Sequence, residues 1–300
     1  MSAPPTGLTL LVGATLFTVM LSLGLMLGRE QIAAALQRRV VLAALLFAVV
    51  VPVPAMAVLL VKLSGLRGAV GAGILLMAIS PGAPVALRRA IEAGGHSAFA
   101  PALHLAIVMS AVATVPASLA ILDAIFEKHF TVSPLAVARQ MFIAQILPLA
   151  LGASLRTFRP ATAERIEPGL TRASNLMLLA LALVLLVVFR RLLEEIGWTP
   201  FIAGAGLSAC ALVVGAAFAG QDAAVRPAGA VAAAMRNPGL ALLIAAVNDL
   251  PAPVVASVFG YTLGLALIVT VFVVWRGTGA PQGREPAPRR SHSDGTSLRG

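Results

Sequence analysis

The chain has 300 residues, 59% of them hydrophobic and 11% charged, with a mean hydropathy of +0.95. Soluble domains carry about 25% charged residues and disordered chains lack the hydrophobicity, so both classes are excluded, and a single cysteine, Cys210, excludes a disulfide scaffold or a cysteine-built metal site. The net charge of +10, from 22 Lys and Arg against 12 Asp and Glu, would point to nucleic acid in a soluble protein; with aromatics at only 5% it points instead to a polytopic membrane protein with basic cytoplasmic loops and no nucleic-acid partner.

A spanning helix needs about 20 apolar residues. Nine stretches meet that need: 7–28, 40–61, 68–90, 98–125, 134–156, 170–190, 199–219, 226–247 and 251–275. No Lys or Arg precedes the first in MSAPPTG, so it is expected to be a retained helix and not a signal peptide. Residues 29–39 are predicted to form an interfacial helix. Pro52, Pro54, Pro116 and Pro148 are expected to be kinks, and Cys210 to pack in the seventh span. Residues 276–300, rich in Pro, Gly, Ser and Arg, are expected to be a disordered cytoplasmic tail. What remains, 1–275, is a single transmembrane domain with no room for a separate catalytic one.

Alternate loops differ in basic content. One set, with the tail, holds 15 Lys and Arg, including Arg38, Arg39, Arg88, Arg89, Arg156 and Arg226; the other holds 6, including Lys62 and Arg139. The richer set should be cytoplasmic. That places the N-terminus outside and the C-terminus inside a plasma or inner membrane.

Two spans carry a Pro-Gly pair near their middle. The third reads GAGILLMAISPGAPVALRRA, with Pro81-Gly82, and the eighth reads AGAVAAAMRNPGLALLIAAV, with Pro238-Gly239. Proline removes a backbone donor and clashes with the preceding turn, and glycine tolerates an unwound backbone. Freed backbone groups are costly in lipid, so such breaks occur where protein or a cavity satisfies them. The two pairs lie 157 residues apart and each is followed by one more span. Matched interrupted spans in two inverted halves are a sequence pointer to a transporter binding site.

The twelve acidic residues all fall in loops, at span ends or in the tail. Arg236, beside the second break, is the only strongly charged residue near a span centre, at a cost of at least about 2.5–3.5 kcal/mol on insertion scales. Three roles are open to it: binding an anionic substrate group, standing as a fixed internal cation, or capping broken-helix carbonyls. Asn237 and Ser80, each directly before a Pro-Gly pair, are candidates for bonding substrate or exposed backbone. His104, the only intramembrane histidine, is either a structural residue or a proton-coupling group. Arg88 and Arg89 are read chiefly as snorkelling anchors and secondarily as an inner vestibule attracting anions. No Gly-x-Ser-x-Gly, His-Glu-x-x-His or Walker-type loop is present, and no enzyme is expected.

These motifs resemble the bile acid:sodium symporter family. Ser80-Pro81-Gly82-Ala83, continuing to Ala93-Gly94-Gly95-His96, resembles its first break, and Met235-Arg236-Asn237-Pro238-Gly239-Leu240-Ala241 its second, usually Met-Gln-Asn-Ser-Gly-Leu-Ala. FTVMLSLGLMLGREQI resembles the segment that opens the family's core. The resemblance covers nearly all of 7–275. It implies nine or ten helices in a panel and a core, with two broken helices crossing at the site, and nine spans with the N-terminus outside is the arrangement of members lacking the first helix. It also implies sodium coupling, but the family's Ser and Asn ligands are Ala86 and Leu87 here. Its bridging Glu is Ala232, its Gln is Arg236, and a hydroxyl-bearing residue of the next helix is replaced by His104 or a neighbour.

The expectation is therefore an all-α secondary transporter with nine spans and an inverted repeat. It moves an organic anion or small amphipathic solute by alternating access at a site formed by Ser80, Pro81, Gly82, His104, Arg236, Asn237, Pro238 and Gly239. No cofactor or resident metal is expected. The alternatives are a sodium-independent carrier, proton-linked or exchanging, and a non-transporting receptor on the same fold.

Overall fold

The computed structural model describes residues 6–28, 33, 36–66, 68–126 and 134–279. Among these residues all regular structure is helical, apart from one isolated antiparallel bridge between Pro81 and Arg236. The helices are α1 (Thr6–Leu25), α2 (Arg39–Val50), α3 (Pro52–Leu63), α4 (Gly68–Ala78), α5 (Ala86–Glu92), α6 (Phe99–Ile125), α7 (Pro134–Met141), α8 (Leu147–Phe158), α9 (Pro160–Ile196), α10 (Thr199–Phe218), α11 (Val225–Ala234), α12 (Pro238–Val247) and α13 (Ala252–Gly279). A π turn over Phe142–Ile146 joins α7 to α8.

Among the described residues six helical stretches are long and apolar enough to cross a membrane: Arg39–Leu63, Phe99–Ile125, Leu135–Phe158, Pro160–Val188, Thr199–Phe218 and Ala252–Gly277. Shorter apolar helices, Leu10–Leu25, Gly68–Ala78 and Pro238–Val247, fall at the first span and at the two breaks. Large apolar side chains such as Leu59, Leu151, Val187, Val213 and Trp275 are exposed, as a lipid-facing surface requires.

The prolines act locally as their chemistry dictates. Pro52 and Pro54 separate α2 from α3 at Val51, whereas Pro116 sits inside an unbroken α6. Pro148 follows the π turn, where the Leu147 N–H reaches back five residues to the Phe142 carbonyl. Pro160 occupies the first turn of α9, which runs ten residues further toward the N-terminus than its apolar stretch. The helix α13 also continues past Arg276 to Gly279, so the predicted tail begins too early, and the rest of it lies outside the described residues. Most of the predicted interfacial helix at 29–39 also lies outside them. Cys210 is exposed on the outer face of α10 and not packed, because the small-residue face of that helix is turned inward.

The helices associate in two packing groups. One holds α1, α8 and α9; the other is built on α10, α13, α11 and α4, with α2, α5 and α6 around them. Glycines set the approach within both. A Cβ at Gly24 or Gly152 would strike the backbone of the other helix, and the same holds for Gly204 against Tyr261, Gly264 against Phe201 and Gly215 against Gly229. Lipid gives no hydrophobic drive between helices, so this close backbone contact carries the packing. The groups meet where α1 lies on α12 and α9 on α13.

Loops of the basic set gather at one end. Arg38 pairs with Asp222, the His96 N–H donates to the Ala224 carbonyl at 2.9 Å, and Arg156 pairs with Glu164 at 3.3 Å. Lys62 lies over the Phe126 ring, 5.8 Å from its centroid, at the other end.

Candidate functional site: the crossing of two interrupted helices

Both Pro-Gly pairs break their helices, and the breaks meet. The helix α4 stops at Ala78, and the chain runs without regular helix through Ser80–Pro84 before α5 begins at Ala86. Gly82 takes φ +80°, a conformation L side chains rarely adopt, and a Cβ there would press on Val108 of α6 at 3.1 Å. The second break is shorter. Met235 and Asn237 are extended (ψ 114° and 94°) between α11 and α12. The Asn237 N–H donates to the Ser80 carbonyl at 2.7 Å, beside the Pro81–Arg236 bridge. Two strand-like stubs thus satisfy part of each other's backbone inside an apolar bundle.

Asn237 works at three points. Its Oδ1 accepts from the Leu240 N–H at 3.0 Å and so caps α12. Its Nδ2 donates to the Gly82 carbonyl at 3.2 Å. Its own N–H holds Ser80. The Ser80 hydroxyl donates back to the Leu76 carbonyl at 2.7 Å, one turn earlier in α4. Pro238 and Gly239 form the first turn of α12, and a Cβ on Gly239 would meet Leu16 Cδ2 of α1 at 2.8 Å. The packing of α1 onto the second break therefore depends on the missing side chain.

Arg236 is 1% exposed. Its Nη1 and Nη2 both donate to the Val49 carbonyl, at 3.1 and 3.2 Å, and Nη2 also donates to the Ala233 carbonyl at 2.9 Å. Each carbonyl belongs to an interrupted ladder. Val49 lies in the turn that Pro52 and Pro54 disturb, and Ala233 would bond the Asn237 N–H that Ser80 has taken. Nε has no partner. The capping geometry considered for this residue is what the side chain displays.

His104 lies apart. It is buried on α6, one turn before Val108 and outside the cavity beside the crossing, and its Nε2 has no hydrogen-bond partner among the described residues. The structure therefore joins Ser80, Pro81, Gly82, Arg236, Asn237, Pro238 and Gly239 in one place and leaves His104 behind it.

A cavity of about 230 Å³ opens beside the crossing, between the two helix groups. Thr15 and Leu16 of α1 line it, as do Ala83, Pro84, Val85 and Arg89 of the first break and α5. Leu178, Leu181 and Leu185 of α9 form one wall, Met235–Gly239 the floor, and α13 from Phe259 to Thr270 the far side. A second space continues it toward the basic end, sharing Pro84, Val85 and Leu178 and lined there by Ser22, Arg88, Glu92 and Asn175. Sequence reasoning placed Arg89 only secondarily at an anion-attracting vestibule and missed it as a lining residue of this cavity. Its position beside Arg88 at the end of an apolar span looked like an anchor, and the structure sets it on the cavity wall. It also missed Gln145, fully buried in the π turn with no partner for its amide among the described residues.

Long apolar helices around two interrupted ones, joined at their breaks beside a cavity, define an integral membrane protein of the secondary-transporter class. Residues 14–196 match the model of the sodium bile acid symporter family, and the chain belongs to that family. The match contains the first break and stops short of the second. No curated protein matches the chain. Family membership makes the protein a membrane transporter of a small solute and not an enzyme.

Proposed function

We propose that this chain carries a small organic anion or amphipathic solute across the membrane by alternating access, without a sodium gradient. The nine spans form two inverted halves, with the N-terminus outside and the C-terminus in the cytoplasm. One observation carries the reading: the two breaks hold each other backbone to backbone beside a cavity lying between two helix groups. Rocking one group against the other about that crossing exposes the cavity to each side in turn. Interrupted backbone inside the bundle is tolerated where protein satisfies it or it borders a cavity, and both hold at this crossing.

The sodium-free part rests on Arg236. A sodium ion at a broken helix takes carbonyl oxygens as ligands, and the guanidinium already holds those of Val49 and Ala233. A fixed cation there neutralises the carbonyl ends in every state of the cycle. Such a charge cannot be released, so it cannot couple transport to an ion gradient. The substitutions at Ala86, Leu87 and Ala232 agree, since none offers a side-chain oxygen.

Uptake into liposomes of the full chain tests this. Uptake that is equal with and without an inward sodium gradient supports the proposal, and uptake driven by sodium refutes it. A proton-linked cycle is the second reading, favoured by the unpartnered Nε2 of His104. A pH gradient that drives uptake in the wild type and not in His104→Gln would establish it. Loss of all flux with intact solute binding would instead favour the receptor on the same fold.

A further inference from the structure

We infer that Arg89 is the residue that recognises the anionic group of the solute, and that Glu92 is a built-in competitor occupying Arg89 when the cavity is empty. The inference rests on the anion-carrier reading above and names the residue that gives it specificity. It follows from asking which of the charged and hydrogen-bonded groups lining the cavity can exchange partners. Thr15 and Thr262 donate their hydroxyls to carbonyls of their own helices, Leu11 and Val258, each at 2.7 Å. The Asn237 side chain is engaged at both ends. Both terminal nitrogens of Arg236 are held by carbonyls in a fully buried frame. Arg89 differs from all of these. Its side chain is 36% exposed, it borders the cavity, and its one side-chain partner is Glu92, with Nη1 to Oε2 at 3.2 Å.

Glu92 is itself shared. Its other oxygen accepts from Arg88 Nε at 2.8 Å, the shorter contact, so one carboxylate serves two guanidiniums. Arg88 is 71% exposed and lies at the mouth, outside the cavity. A solute carboxylate arriving at Arg89 replaces a weak, half-solvated contact with a fork it need not share. Glu92 stays paired with Arg88, so no charge is stranded. The rest of the cavity is largely apolar, with Leu178, Leu181, Leu185 and Val269 facing the body of the solute. The favoured solute is therefore a monocarboxylate with a compact hydrocarbon body.

The test uses the purified full chain in nanodiscs, with octanoate and hexanoate as probes and their uncharged amides as controls, read by ligand-induced thermal stabilisation. The wild type should bind the carboxylates in preference to the amides. Arg89→Gln should weaken carboxylate binding about tenfold or more and leave amide binding as it was. Arg89→Lys should restore part of the preference, Glu92→Gln should strengthen carboxylate binding several-fold, and Arg88→Gln, which leaves Glu92 to Arg89 alone, should weaken it less than Arg89→Gln does while keeping the preference over the amides. Carboxylate binding in Arg89→Gln equal to wild type overturns the assignment of Arg89 and leaves the anion reading standing. A wild type with no preference for carboxylate over amide overturns the anion reading and Arg89 with it. If Arg89→Gln does not fold, Glu92→Gln decides: unchanged carboxylate affinity there overturns the inference.

Discussion

The two interrupted helices look alike as sequence and behave differently as structure. At the first break the chain runs through Ser80–Pro84 without regular helix, needs a left-handed glycine, and resumes in only seven residues of helix. At the second, three residues suffice and ten residues of capped helix follow. The difference lies in the side chains. The second break contains Arg236 and Asn237, whose nitrogens reach four carbonyls: Val49, Ala233, Gly82 and Ser80. The first break supplies acceptors, and the one hydroxyl it owns turns back into α4. Across the crossing the second break donates, through Asn237, and the first accepts, while Arg236 holds the carbonyls of Val49 and Ala233 outside the first break.

Breaking that asymmetry should be costly on the donor side. Arg236→Leu removes charged donors from two buried carbonyls, and at about 1.5–3 kcal/mol for each charged hydrogen bond the loss should be about 3–6 kcal/mol. Thermal unfolding of the purified protein in nanodiscs measures it. A loss near zero would mean that the carbonyls find other donors. Asn237→Ala should come next, at about 2 kcal/mol, from the lost cap and the lost bond to Gly82. Asn237→Asp keeps the cap and loses only the Nδ2 donor, so comparing the two substitutions separates the local role from the cross-break one.

On the acceptor side Gly82→Ala should cost about 1–2 kcal/mol from the left-handed backbone alone. Pressure on Val108 adds to that, and Val108→Ala in the same chain should recover the added part but not the backbone part. Destabilisation by Gly82→Ala as large as that of Arg236→Leu would contradict the donor–acceptor division.

The smallest effect lies at the basic ends of the two broken helices. Asp222, just before α11, is held below the usual carboxylate range, first by the side-chain bond from Arg38 and then by the Ala224 N–H. A carboxyl whose folded pKa is depressed stabilises the fold above its unfolded pKa and loses that contribution as the pH falls through the folded value. Neutral solution therefore keeps the tie and acid releases it. The pair is solvent-exposed and salt-screened. Asp222→Asn should shift the unfolding midpoint slightly at neutral pH and not at all in strong acid. The midpoint measured against pH for both chains checks the sign.

How far the sequence could be read is clear from particular residues. The ends of α6 and α10 fall within a residue or so of the apolar stretches 98–125 and 199–219. Both breaks sit at their Pro-Gly pairs, because a missing donor acts locally. Overlong helices were harder to read. The ends of α9 and the last turn of α13 are polar yet still helical, since Arg and Glu are good helix formers beyond the membrane. The exposure of Cys210 was not legible either, because an apolar residue in lipid faces outward as readily as inward.

The sequence by itself determined that the chain is helical and membrane-embedded, that two of its helices are interrupted, and that one arginine lies among the spans with no acid near it in sequence. Those properties follow from composition and from the covalent chemistry of proline and glycine, which act within a few residues. Only the tertiary structure decided what the interruptions do. It brought Ser80 to Asn237 and Val49 to Arg236, across 157 and 187 residues. It also placed Arg89, four residues into a seven-residue helix, on the lining of the cavity. Hydrogen bonds between distant backbones depend on how helices pack, and packing leaves no mark in the local pattern of the chain.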